Sequence, residues 1–198
     1  MGIAIGITGG IGSGKSIVAK AIKVLGYPVF YSDEVAKDIL ANDAETITAM
    51  KALLGDGVYS NGKVNRDFIA DKIFNDQTLK EKVNQIIHPK VRNRFNDLLN
   101  NSENDIVFNE AAILFETGAY KNFDFTICVV SDLETRIERV KKRDGISEEA
   151  IRARINNQWS DEKKLALADF VIYNNNNDLL IPQILTTLGD ISNSLINS

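Results

Sequence analysis

The stretch Ile3–Ile22, IAIGITGGIGSGKSIVAKAI, places Gly6, Gly9, Gly10, Gly12 and Gly14 within nine residues and closes the run with Lys15-Ser16. Glycine loses more backbone entropy on folding than any other residue, so such a cluster needs a left-handed backbone or a close approach to the backbone. Ahead of it, Ile3 to Thr8 reads as a short buried strand. Behind it, Val18, Ala21, Ile22 and Leu25 fall on one helical face of a segment from Ser16 to Leu25, which Gly26 stops. Between the two, Gly9-Gly10-Ile11-Gly12-Ser13-Gly14-Lys15-Ser16 fits G-x-x-x-x-G-K-[ST] in the strand–loop–helix setting that this pattern requires. With glycine at about 7% of residues, the four fixed positions match by accident in roughly one chain per hundred, and the setting makes accident rarer.

This pattern binds nucleotide phosphates for physical reasons. Glycines expose a nest of backbone N–H donors where side chains would block a phosphate, and the helix N-terminus adds a favourable dipole. Gly9 through Ser16 are therefore expected to cradle ATP, with the glycines clearing room for a triphosphate. Lys15 reaches the β- and γ-phosphates, and the Ser16 hydroxyl ligates Mg²⁺. The dinucleotide pattern G-x-G-x-x-G is not matched, which argues against a nicotinamide or flavin site.

At 198 residues, with 44% apolar and 25% charged residues, the chain reads as one globular domain. A net charge of −4 argues against a nucleic-acid binder that works through bulk positive charge. No segment is long and apolar enough to span a bilayer, and no signal peptide is evident, so a cytoplasmic location is expected. The single cysteine, Cys128, lies in the apolar run FTICVVS and reads as a buried strand thiol.

Further strands are expected at Pro28–Ser32, Ile106–Asn109, Phe125–Ser131 and Phe170–Tyr173. The helices between them predict an α/β fold with a parallel sheet flanked by helices. Asp43–Leu54 reads as a helix, and Asn65 and Ser147 read as N-caps. Leu79, Val83, Ile86, Ile87, Val91, Phe95, Leu98 and Leu99 mark a long amphipathic helix, with a kink or break expected at His88-Pro89. Helices crowd residues 43–100, which read as an insertion.

Ligands in open α/β sheets bind beyond the carboxyl ends of the strands, so residues that follow strands matter most. Asp33, directly after the second strand, is either the base for an acceptor hydroxyl or the N-cap of the next helix. Glu110, after the third, either holds Mg²⁺ through water or is structural. Glu116 reads as structural. Arg136, Arg139 and Arg143 lie about a quarter-turn from a packed stripe of Leu133, Ile137 and Val140, as a solvated basic face or as a lid aimed into a cleft. His88, the only histidine, either meets an acceptor or caps the kink. D-x-x-G and N-K-x-D, the marks of a GTPase switch, are absent. Small-molecule kinases acting on nucleoside monophosphates, gluconate or shikimate remain open on these residues, as does a slow nucleotide-binding switch protein.

Taken in order, ITGGIGSGKS, SDEVAK, IIHPKVR, EAAILFE, RVKKRDG and RINNQWSDEKKLALADFVIYNN resemble the dephospho-CoA kinases over nearly the whole chain. The resemblance implies transfer of the ATP γ-phosphate to the 3′-hydroxyl of dephospho-CoA, with Mg²⁺ and no nucleic-acid or membrane partner, and leaves the oligomeric state open. It implies a P-loop kinase core with a helical acceptor-binding insertion at about 43–100 and a lid at about 139–158. Asp33, Lys15, Arg139 and Arg143 would be catalytic. Asp33, Lys37, Arg66 and His88 would meet the acceptor, Arg139 also ATP, and Ser16 and Glu110 the metal. Arg154 matches a further arginine of the family. The chain departs from the family pattern at Tyr31, Lys37, Ala112 and Asn176, where aspartate, arginine, proline and glycine are usual.

Overall fold

The computed structural model describes residues 2–74 and 76–196. In chain order, β1 (Ile3–Gly9), α1 (Lys15–Val24) and β2 (Val29–Tyr31) come first. Next come α2 (Ser32–Asn42), α3 (Ala44–Leu54), β3 (Tyr59–Ser60), β4 (Lys63–Val64), α4 (Arg66–Phe74) and α5 (Gln77–Asn101). The rest is β5 (Ile106–Glu110), β6 (Phe125–Val130), α6 (Leu133–Asp144), α7 (Glu148–Asn156), α8 (Asp161–Leu165), β7 (Phe170–Tyr173) and α9 (Leu180–Ile196). The chain forms two compact units: one runs to Phe30 and resumes at Leu99, and the other is Tyr31–Leu98.

The sheet has five strands in the order β2-β5-β1-β6-β7. β1 pairs parallel with β5 (Ile5 opposite Phe108) and with β6 (Ile7 opposite Ile127), and β6 pairs parallel with β7. Parallel strands are buried on both faces and so read as continuous apolar runs. Accordingly Ile5, Ile7, Val107, Phe108, Ile127 and Val129 are all buried, as are Val18, Ala19 and Ile22 of α1, which packs on β1 and β5, and Ile184 and Ile191 of α9, which packs on α1 and β7. On α1 the buried stripe is turned from the expected one. Ala19 is buried, whereas Leu25 is exposed and stands at the C-cap, just before Gly26 (φ 98°). On α6 the buried set is Arg136, Ile137 and Val140, and Leu133 is exposed. Ile137, Val140 and Ile151 pack with Ile11, Ile146 and Ile155, so the phosphate loop itself contributes an apolar side chain to the core.

In the second unit, Met50, Leu54, Val58, Ile69 and Val83 form a core of their own, with Leu79, Ile86 and Ile87 packed on it. Asp43 caps α3 by accepting from Thr46 N (2.8 Å), and Asn65 Oδ1 accepts from Phe68 N at 3.2 Å at the start of α4. Of the kink or break expected at His88-Pro89, the break does not occur: α5 runs through Pro89 as one 25-residue helix. Proline there removes a single N–H, while Val83 and Phe95, buried on either side, hold both halves to packed surfaces.

Candidate active site

β1 is flanked by β5 and β6, so the glycine loop that leaves it opens at the carboxyl edge of the sheet's middle. Gly12 (φ 80°) and Gly14 (φ 89°) take the left-handed backbone that favours glycine. The missing β-carbons, however, all face protein. A Cβ on Gly9 would meet Val129 O and, at 2.6 Å, Ser13 Oγ; on Gly14 it would strike the Asn174 amide. On Gly12 it would lie 2.6 Å from Arg136 O, and on Gly10 it would lie 2.6 Å from Arg136 Cζ. The protein's own packing therefore asks for glycine at these positions: the space at the missing β-carbons is taken by β6, α6 and the segment after β7.

Side chains from three distant segments grip the loop. Asn174 Nδ2 donates to Ser13 O (2.7 Å), Arg136 Nε donates to Ile11 O (2.8 Å), and Ile11 N donates to Gln158 Oε1 (2.7 Å). The Ile11 amide is thus engaged by a side chain. Ser13 N–H closes a turn onto Gly10 O at 3.0 Å. Lys15 and Ser16 begin α1, where the first N–H groups have no carbonyl of their own helix to meet.

Lys15 Nζ lies 3.5 Å from Glu110 Oε1, so the loop lysine and the carboxylate share one place. Glu110 is the last residue of β5 rather than a residue beyond it, and it is buried. An exposed serine at the start of α1 and a buried carboxylate at the end of β5 are oxygen donors of the kind Mg²⁺ takes, one or two from protein and the rest of its shell from phosphate and water. No cluster of three or more His, Cys, Asp or Glu side chains placed to hold a metal occurs among the described residues.

The three arginines of α6 have different surroundings. Arg136 is buried and pairs with Asp161 Oδ2 at 2.8 Å. Arg139 donates to Asn174 O (2.8 Å) and, at 3.4 Å each, to Ser131 Oγ and Asn176 Oδ1. Arg143 is exposed and grips its neighbour Asp144 with two bonds (2.7 and 3.0 Å), and Arg154 reaches the same carboxylate at 3.2 Å. Glu116 accepts from Trp159 N (3.2 Å) and lies 3.1 Å from Nζ of Lys164, a fully buried lysine.

In the second unit, Asp33 is exposed in the first turn of α2, whose N-cap is Tyr31. It is therefore not the helix cap, and its carboxylate makes no hydrogen bond or ion pair among the described residues. Lys37 lies one turn on, and Arg66 starts α4; both are exposed. His88 lies within α5, and the loss of water around its ring lowers its pKa.

Sequence reasoning gave Arg136 no separate part and passed over Gln158, Asp161 and Asn174. The one available signal was that Arg136 stands four residues before Val140, on the packed stripe, where a charge is ordinarily read as surface.

A parallel sheet with this loop at its middle, a lysine and a carboxylate beneath it and arginines on the helix after β6 defines a P-loop kinase. The dephospho-CoA kinase family model matches residues 3–179, and the chain belongs to that family. It is 44% identical over 190 residues to a dephospho-CoA kinase of Bacteroides fragilis, covering 96% of this chain and 93% of that one. A crystal structure from Thermus thermophilus superposes with a TM-score of 0.85 at 33% identity, covering 98% of both chains. A dephospho-CoA kinase from Campylobacter jejuni gives 0.69 at 28% identity, over 98% of this chain and 99% of that one. No described helix is long and apolar enough to cross a membrane.

Proposed function

We propose that the protein transfers the γ-phosphate of ATP to the 3′-hydroxyl of dephospho-CoA, giving CoA and ADP. The observation that carries this reading is the glycine loop with Lys15 and Glu110 3.5 Å apart beneath it, in a chain that matches the family over residues 3–179. The loop N–H groups and Lys15 bind the β- and γ-phosphates, where positive charge and fixed donors stabilise charge that spreads over the transferring group. Ser16 and Glu110 would hold Mg²⁺, which supplies neutralising charge to the phosphate oxygens. Asp33, unpaired and exposed, accepts the proton of the acceptor hydroxyl as that oxygen attacks. Lys37, Arg66 and His88 orient the acceptor, and Lys37 does so as a point charge.

Arg139 and Arg143 stabilise the phosphoryl group in this reading. Arg143 must exchange Asp144 for phosphate oxygens, which its planar fork suits equally well. Arg154, on the same aspartate, stays to balance it.

The test is ADP formation from Mg²⁺-ATP with dephospho-CoA, run beside nucleoside monophosphates, gluconate and shikimate. Turnover with dephospho-CoA alone is expected. Asp33→Asn should lower kcat by about 10²–10⁴-fold while leaving the ATP KM nearly unchanged. Near-normal turnover in that variant would remove Asp33 from the role of base. Turnover with another acceptor alone would overturn the substrate.

A further inference from the structure

We infer that Arg136 and Gln158 are positioning residues for the phosphate loop: together they hold both backbone polar groups of Ile11 and so fix the loop's shape before nucleotide arrives. The inference rests on the loop being the ATP site. Arg136 donates from Nε to Ile11 O at 2.8 Å, and Gln158 accepts from Ile11 N at 2.7 Å. The Arg136 side chain is 6% exposed, and its Nη1 is 2.8 Å from Asp161 Oδ2. A guanidinium neutralised in this way is not presented to a phosphate. It acts on the loop.

The glycines bear the same mark. The motif prescribes Gly9 and Gly14 but leaves positions 10 and 12 open. Gly10 has no left-handed φ that demands glycine, yet a β-carbon there would lie 2.6 Å from Arg136 Cζ. Gly12 would meet the Arg136 carbonyl at 2.6 Å. These two glycines fit the loop to Arg136.

The grip is anchored at its far end. Gln158 and Asp161 belong to the short segment between α7 and the start of α8. That segment is tied down by Trp159 N donating to Glu116 (3.2 Å) and by the buried Lys164 Nζ 3.1 Å from the same carboxylate. The segments that follow β1 and β5, at Ile11 and Glu116, are thus joined through the chain between α7 and α8. Donors held in place before binding need no reordering when the anion arrives, and that saving appears as nucleotide affinity.

Gln158→Leu removes the acceptor and keeps most of the bulk. Its ATP KM should rise about five- to tenfold, the worth of one hydrogen bond, with kcat and the dephospho-CoA KM within about twofold of the parent. In the nucleotide-free enzyme, the Ile11 amide should exchange with solvent faster in Gln158→Leu, and Gln158→Glu, which restores an acceptor oxygen, should regain the protection. Asp161→Asn, which leaves Arg136 without its counter-charge, should raise the ATP KM with the same selectivity. An unchanged ATP KM in Gln158→Leu and Asp161→Asn, an equal rise in both substrates' KM values, or an Ile11 amide as protected in Gln158→Leu as in the parent would each overturn the inference. Absence of turnover by the parent enzyme would count against the proposed reaction instead, and the exchange rates, read without nucleotide, would still decide the clamp.

Discussion

Cys128 sits in the middle of β6, fully buried against Phe115 and Val130. Burial pushes its thiol up to about 12, with the Lys164 charge opposing. The thiolate is the reactive form, so iodoacetamide at neutral pH should leave the folded protein unlabelled and modify Cys128 only in denaturant. Mass spectrometry of the two samples checks this, and rapid labelling of the folded chain would contradict it. That burial was legible because an apolar run around one cysteine has a single plain reading. Arg136 was not legible. Its fate depends on Asp161 and Ile11, 25 and 125 residues away, and no local spacing encodes a partner at that distance.

Helix ends followed from local chemistry. Asn65 and Ser147 cap where side-chain oxygens precede helical runs, and Ser147 Oγ accepts from Ala150 N at 3.3 Å. The start of α2 was misplaced by this logic because Asp33 resembles a cap, whereas strand β2 passes straight into the helix at Ser32. α8 was missed: its five residues are too short to show a period, although Ser160 caps it. At the start of α3, Asp43 takes hydrogen bonds from Lys90 and from the Thr46 hydroxyl and N–H. Those bonds, Lys90's first, hold its carboxyl well below the usual carboxylate range. A depressed folded pKa contributes stability that is whole above the unfolded value and lost as pH falls. Thermal midpoints measured from about pH 5 down to about pH 2 should therefore fall less steeply in Asp43→Asn, which keeps a capping oxygen and loses the charge. Parallel curves for the variant and the parent would remove Asp43 from acid sensitivity.

At the scale of the molecule, a ligand that binds only the folded state raises stability by mass action. At a free concentration about a hundredfold above Kd this amounts to about 2.7 kcal/mol, or roughly 5–10 °C in melting midpoint for a chain of this length. Mg²⁺-ATP should produce such a shift in differential scanning fluorimetry, and Lys15→Ala should reduce it; an unmoved midpoint at saturating nucleotide would speak against the loop as the nucleotide site. The sheet order was not written in the sequence, because strand neighbours follow from crossovers. That the sheet is parallel was legible, since its strands alternate with helices and are mostly apolar.

Gly10 and Arg136 are separated by most of a domain's length of chain, yet the arginine lies where it does only because position 10 carries no β-carbon. A lineage that enlarged Gly10 while keeping the arginine would damage the loop before any nucleotide met it, and one that shortened the arginine would release Gly10 to drift. The two positions are therefore expected to change together: in a family tree a change at one should fall on the same branch as a change at the other.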